Sequence, residues 1–190
     1  MIKNCKNIST IFYNLNLPKN MKVNISSVYP TSINRIRISK YNELLLTGCV
    51  SFIETKFNSN SIIFNNLPCE DGVNILNSSG HLKHITGNST KFDGLDIDFS
   101  NLSVEEIDIH NSNNDCVDLS GGYYELKDIS VTNCKDKGIS VGEASVLFGD
   151  IVKINKSNIG IASKDSSKVH INHATFIDSD TCYLTYNKKQ

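Results

Sequence analysis

The sequence predicts an all-β fold, a single-stranded parallel β-helix with about 22 residues per coil. Three observations predict it: a residue pattern that returns at a fixed interval, strand alternation after each return, and no run with helical spacing. Gly72, Gly94, Cys116, Gly138, Gly160 and Cys182 follow one another at intervals of 22 residues. The first five each open a short apolar–polar segment: "VNIL", "LDID", "VDLS", "ISVG" and "IASK". Val73, Leu95, Val117, Ile139 and Ile161 make one apolar column. Ile75, Ile97, Leu119 and Val141 make the next, which ends at Ser163. Between them Asn74, Asp96, Asp118, Ser140 and Ala162 are directed to the opposite face, the period-two pattern of a strand. A repeat of this length, with several short strands and no helix, stacks coil on coil at the interstrand spacing of ~4.8 Å.

Along the chain, residues 1–45 are irregular and read as early coils or a cap over the first edge, and 46–190 as the β-helix of the same single domain. The first coil is "GCVSFIETKF" (48–57), where Val50 and Phe52 match Val73 and Ile75 with one extra residue, and five coils follow from Gly72. A second strand runs through each repeat: "HLKHIT" (81–86), "EEIDIH" (105–110), "KDISVT" (127–132), "GDIVKIN" (149–155) and "KVHINH" (168–173). Asn111, Asn133 and Asn155 recur at the same step. Asn tolerates a left-handed backbone, so this column is expected to fix a corner. In "GGYYEL" (121–126), one of Tyr123 and Tyr124 is expected to face inward. "TCYLTYNKKQ" begins another coil and stops. The chain therefore reads as a fragment or as one continued by another subunit, with Lys188 and Lys189 as edge charges.

A net charge of −1 with no basic run argues against a nucleic-acid footprint. No apolar stretch approaches the length of a membrane span. The first twenty residues lack the apolar core of a signal peptide, which leaves localisation open: inside the cell, or extracellular or at the cell surface if the chain is a fragment. Oligomeric state is not predicted. The six Cys form no CxxC pair and no zinc spacing, and read as buried thiols acting as small hydrophobes. Six Asn-x-Ser/Thr matches, Asn77 and Asn101 among them, are what a chain rich in Asn and Ser yields by chance.

Carboxylates recur in register. Asp96 and Asp118 are neighbours on adjacent coils, and Asp98 shares their face. Asp93, Asp115 and Lys137 form a column at the preceding turn, and Glu143 and Asp165 another 22 residues apart. Asp98, Ser120, Gly142 and Lys164 make a further column. Like charges opposed in a sheet cost roughly 0.2–1 kcal/mol each. Four explanations stand open. A Ca²⁺ ion could bridge Asp93, Asp96, Asp115 and Asp118. Lys137 and Lys164 could neutralise the acids. The acids could serve proton transfer. Or they could hydrogen-bond turn amides. Lys–Asp pairing is preferred to Ca²⁺, because no calcium-binding nonapeptide is present, and no other cofactor is expected.

The order "KFDG" (91–94), "NNDC" (113–116), "DKGISVGE" (136–143), "GIASK" (160–164) resembles that of the polygalacturonase family. The resemblance implies a right-handed parallel β-helix of the pectin lyase-like superfamily. It matches Asp93 and Asp115 to catalytic aspartates and Lys164 to a substrate-binding lysine. Asn114 stands where the family has its general acid, Lys137 in place of His, and Ala162 in place of Arg. An amide cannot protonate a leaving oxygen, so hydrolysis is not carried over intact. "DKGISVGE" and "IGIASKDSSKV" are also similar to a group of uncharacterised bacterial β-helix repeat proteins, which implies a fold and a bacterial source but no reaction.

The expected partner is an acidic or hydroxyl-rich polysaccharide. On an enzymatic reading, Asp93 and Asp115 are the bases and Lys137 stabilises negative charge, with Asn114, Asp118, Glu143, Lys164 and Asp165 lining the substrate path. That reading leaves a polysaccharide lyase, an epimerase or a glycoside hydrolase. The alternative is a non-catalytic glycan- or protein-binding module in bacterial surface polysaccharide assembly, favoured by the missing acid and the absence of Trp.

Overall fold

The computed structural model describes residues 9–27, 41 and 44–188. Its twelve strands are β1 (Thr10–Tyr13), β2 (Lys22–Ser26), β3 (Gly48–Ile53), β4 (Lys56–Leu67), β5 (Asp71–Leu76), β6 (Ser79–Thr90), β7 (Asp93–Asp98), β8 (Asn101–Ser112), β9 (Val117–Ser120), β10 (Tyr123–Gly142), β11 (Val146–Lys164) and β12 (Lys168–Tyr186). No helix occurs among the described residues. All strand pairs are parallel. Leu95 pairs with Val117, Val117 with Ile139, and Ile139 with Ile161, each 22 residues on. The protein is a parallel β-solenoid of about six turns.

Each turn has a short strand and a long one. The short strands β1, β3, β5, β7 and β9 stack in order, and their column continues through the last residues of β10, β11 and β12. The long strands β2, β4, β6 and β8 stack on the first part of β10. Residues 10–26 thus extend both columns. The remainder of the expectation for 1–45 lies mostly outside the described residues.

Two corner columns bend the chain. After the short strand, Glu54, Asn77, Phe99, Gly121, Glu143 and Asp165 all have positive φ; within the long strand, Asn66, Ser89, Asn111, Asn133, Lys156 and Asp178 do. A left-handed residue costs an L-amino acid roughly 1–2 kcal/mol, so repetition at every turn marks a required bend. Asn133 Nδ2 donates to Asn111 Oδ1 at 2.7 Å, and Asn111 Nδ2 to Asn88 Oδ1 at 2.8 Å. The expected corner therefore forms at Asn111 and Asn133 but not at Asn155. Cys134 pairs with Ser157, 23 residues on, so the extra residue in this turn moves the corner to Lys156.

Both apolar columns form the core: Val73, Leu95, Val117, Ile75, Ile97 and Leu119 have no exposed surface. At the corner after the short strand, Ser78 Oγ donates to the Leu76 carbonyl at 2.9 Å and Ser100 Oγ to the Asp98 carbonyl at 2.7 Å. One turn later Gly122 occupies the place of the serine. A Cβ there would stand 2.4 Å from the Tyr124 hydroxyl. That hydroxyl donates toward the carbonyls of Ile97 and Ser120, both at 2.9 Å. Tyr124 is the inward tyrosine of the pair and is fully buried.

The reading of the cysteines as thiols is corrected for four of them. Cys49 is bonded to Cys69, and Cys116 to Cys134. Each bond joins the glycine column to the turn just before the next coil's glycine, three residues before Gly72 and four before Gly138. Stacking brings those points within 5.3 and 5.4 Å between Cα atoms. Cys182 is a free, exposed thiol, and Cys5 lies outside the described residues. The Cys116–Cys134 bridge closes a loop of sequence separation 18. Cys116→Ser with Cys134→Ser is expected to lower the unfolding free energy by about 3 kcal/mol in denaturant titration.

Candidate functional site: a carboxyl ladder on the short-strand face

In two successive turns before the short-strand column, a backbone N–H faces the carboxyl of the previous coil. Asp93 Oδ1 accepts the backbone N–H of Asp115 at 2.8 Å and Asn114 Nδ2 at 2.7 Å. One coil on, Asp115 Oδ1 accepts the backbone N–H of Lys137 at 3.0 Å and its Nζ at 3.2 Å. Lys137 Nζ also contacts Asp136 Oδ2. The Asp115 side chain is only 4% exposed and that of Lys137 11%. Asp93, Asn114, Asp115 and Lys137 are thus brought together, as a chain of hydrogen bonds that spans three coils. The ladder also extends one coil earlier than the sequence analysis placed it, to buried Asp71, which pairs with Asp93.

On β7 and β9 the outward register is more open. Asp96 and Asp98 are half-buried, and Asn74 Nδ2 donates to both, at 3.2 Å to Asp96 Oδ2 and 3.0 Å to Asp98 Oδ2. Asp118 pairs with Asp96 in the ladder and reaches Lys164 Nζ at 3.7 Å. Lys164 lies back across Gly142, where a Cβ would come within 3.1 Å of its Cε. The Asp118 Oδ1 and Ser140 Oγ atoms are buried without a hydrogen-bond partner. Ser140 and Ala162, expected to face outward, are fully covered.

Glu143 and Asp165, both half-buried, occupy the left-handed corner column. Asp165 Oδ1 accepts the backbone N–H of Lys188 at 2.6 Å. Glu143 lies close enough to Asp98 to raise its pKa. Two further residues escaped the sequence reading: Phe92 and Phe99, both exposed, flank the strand at either end of "FDGLDIDF". Their signal was their position immediately beside the first and last acids of β7.

The acids resist ionisation. Burial, then repulsion from Asp115, pushes the Asp93 carboxyl up to about 8. Burial raises Asp71 to about 6. Burial likewise raises Asp115 to about 6, against the pull of Lys137. Asp96 is raised well above the carboxylate range by burial and by Asp71 and Asp98, and Asp98 by burial and by Asp118 and Glu143. Burial acts to lower Lys137, and its contacts with Asp136 and Asp115 outweigh it, so this ammonium holds its proton more tightly than a free lysine. Among the described residues no group of three or more His, Cys, Asp or Glu is arranged to hold a metal ion.

No protein-family model, no curated protein and no solved structure matches the chain.

These shifts set the pH dependence of stability. An acid whose folded pKa is raised binds its proton more tightly folded than unfolded. Its destabilisation is absent below the unfolded value of 3.8 and complete above the folded value. The melting temperature is therefore expected to fall as pH rises from about 4 to 8, and to level off above. Asp93→Asn keeps an oxygen for the Asp115 N–H and is expected to remove the part of the fall between pH 6 and 8. Thermal melts across this range check it.

Proposed function

We propose that the chain is a non-catalytic glycan-binding β-solenoid whose short-strand face, with Asp96, Asp98 and Asp118 at its centre, receives a hydroxyl-rich polysaccharide. One observation carries the reading: the groups an elimination or epimerisation would need are already joined to one another. Asp115 is buried and paired with the Lys137 ammonium, and half-buried Asp93 accepts the Asp115 N–H and Asn114 Nδ2. The half-buried acids one register further on have surface to offer a ligand.

Carboxyl groups in either protonation state hydrogen-bond sugar hydroxyls, as acceptors when ionised and as donors when neutral. Phe92 and Phe99 supply apolar surface at the two ends of the strand. Of the two polymer classes expected from sequence, the excess of acids over the two lysines favours the uncharged one, because like charges across an interface are costly. The superfamily and handedness implied by the polygalacturonase-like motif order belong to this proposal. So does an extracellular or surface location, which the two disulfides support, since such bonds persist in oxidising compartments.

A second reading has one observation in its favour. With its pKa raised to about 8, Asp93 holds a proton at neutral pH and supplies the acid that Asn114 cannot. A panel of neutral and uronic-acid oligosaccharides, read for binding and for turnover, separates the two readings. Saturable binding of a neutral oligosaccharide, weakened at least tenfold in the Asp96→Asn, Asp98→Asn, Asp118→Asn variant and accompanied by no product, is expected. Uronic-acid oligomers are expected to bind more weakly than neutral ones at neutral pH and to gain as the pH falls, because Asp96 and Asp98, whose pKa values are raised, take up protons. Chain cleavage or unsaturated product lost in Asp93→Asn would replace the binding reading with the catalytic one.

A further inference from the structure

The two disulfides obey a rule of position that leaves one cysteine without its partner. From Cys49 to Cys182, every position of the column that precedes the short strands is glycine or cysteine. A side chain in this column is aimed along the stack. A Cβ at Gly72, Gly94, Gly138 or Gly160 would stand 2.7 Å from the carbonyl of the column's next member. Where cysteine replaces glycine, it bonds to a second cysteine just before that next member: Cys49 to Cys69, and Cys116 to Cys134. Both column cysteines are buried by the coil laid over them. Cys182 is the third cysteine of the column, and its thiol is free and exposed. Among the described residues no strand pairs with its outer side. By the same rule, its partner stands three or four residues before the column position of a coil stacked on β12.

The other end of the solenoid carries a cysteine at that spacing. Thr10 pairs with Val50, so Ser9 is the column's member over Cys49, and its hydroxyl donates to the Gly48 carbonyl at 3.3 Å. Cys5 stands four residues before Ser9, as Cys134 stands four before Gly138. Cys5 lies outside the described residues, so this correspondence is one of sequence alone. Ser9 and Cys182 occupy opposite ends of the column, roughly 34 Å apart at ~4.8 Å per coil, too far for a bond within one molecule. Both ends also present sheet edges. Among the described residues β1 is bonded only to β3, and residues 183–186 only to β11. Tyr13 at one edge and Tyr183 and Leu184 at the other are exposed.

We propose that the β12 edge receives the β1 edge of a second copy of this chain, head to tail, and that a disulfide between Cys182 of one copy and Cys5 of the next locks the joint. The short-strand column then runs on in its own register, with Thr10, Ile11, Phe12 and Tyr13 of the incoming copy over Tyr183, Leu184, Thr185 and Tyr186. The chemistry needs an oxidant, a small disulfide such as oxidised glutathione. The Cys182 thiolate attacks it and releases one glutathione thiolate, and the Cys5 thiolate then displaces the second. Two protein thiols become one disulfide, the small disulfide becomes two thiols, and the two thiol protons pass to the departing sulfurs. Each added copy keeps a free edge, so the contact does not close on itself and builds a linear filament.

The test is oxidation of the full chain in a glutathione redox buffer at about pH 8, near the usual thiol range, read by non-reducing electrophoresis and light scattering. A ladder of dimer, trimer and longer species is expected, with the peptides that hold Cys5 and Cys182 joined in the mass spectrum. Cys5→Ser and Cys182→Ser should each remain monomeric. Their melting temperatures should stay near that of the parent, since Cys182 is exposed and unbonded. An equimolar mixture of the two variants should give one linked dimer and nothing longer, because each contributes one thiol to a single joint. Dimer in Cys5→Ser alone would mean contact between two Cys182 edges and would overturn the head-to-tail joint. A ladder that persists in Cys182→Ser, or monomer throughout in the parent, would also overturn it.

Discussion

Parallel register is the constraint on which everything else in this protein rests. Each short strand bonds to the one a coil later through contacts such as Leu95 N to the Cys116 carbonyl at 3.0 Å and Cys116 N to the Lys137 carbonyl at 2.9 Å. Once that register is set, the side chain at any position lies over its equivalent in the next coil. Apolar columns then fill the interior, left-handed residues line up as corners, and amides stack edge to edge. The disulfides follow from the same geometry, because the start of one short strand is brought against the turn that precedes the next.

The register also creates a conflict that the sequence resolves unevenly. A parallel stack places identical charges a strand's width apart, and the short-strand face sets Asp71 against Asp93 and Asp96 against Asp118. At the turn, the conflict is relieved at Asp93 and Asp115 by a backbone N–H from the next coil, and at Asp115 by an ammonium as well. On the strand, relief is partial: Asn74 serves Asp96 and Asp98, and Lys164 reaches Asp118 across a glycine. The remaining strain appears as carboxyls that keep their protons well above the usual range. The turn acids therefore have a structural task, and the strand acids are the ones with unspent capacity.

Much of this was legible in the sequence because a solenoid writes its contacts at one spacing. The two apolar columns, the corner at Asn111 and Asn133, and the convergence of Asp93, Asp115 and Lys137 all follow from adding 22. Where reading failed, the cause was local. One inserted residue moved the last Asn corner from Asn155 to Lys156. The disulfides escaped because their partners are 18 and 20 residues apart, not a full period. Asp71 was legible, standing 22 residues before Asp93, but fell outside the motif that drew attention to its neighbours.

Nuclear Overhauser contacts between coils test the stacking most directly. The account predicts interstrand amide–Hα contacts characteristic of parallel strands from Leu95 through Val117 and Ile139 to Ile161, at a constant step of 22 residues. Strong Hα–Hα contacts across these segments, the mark of antiparallel pairing, or contacts at any other step, would contradict it.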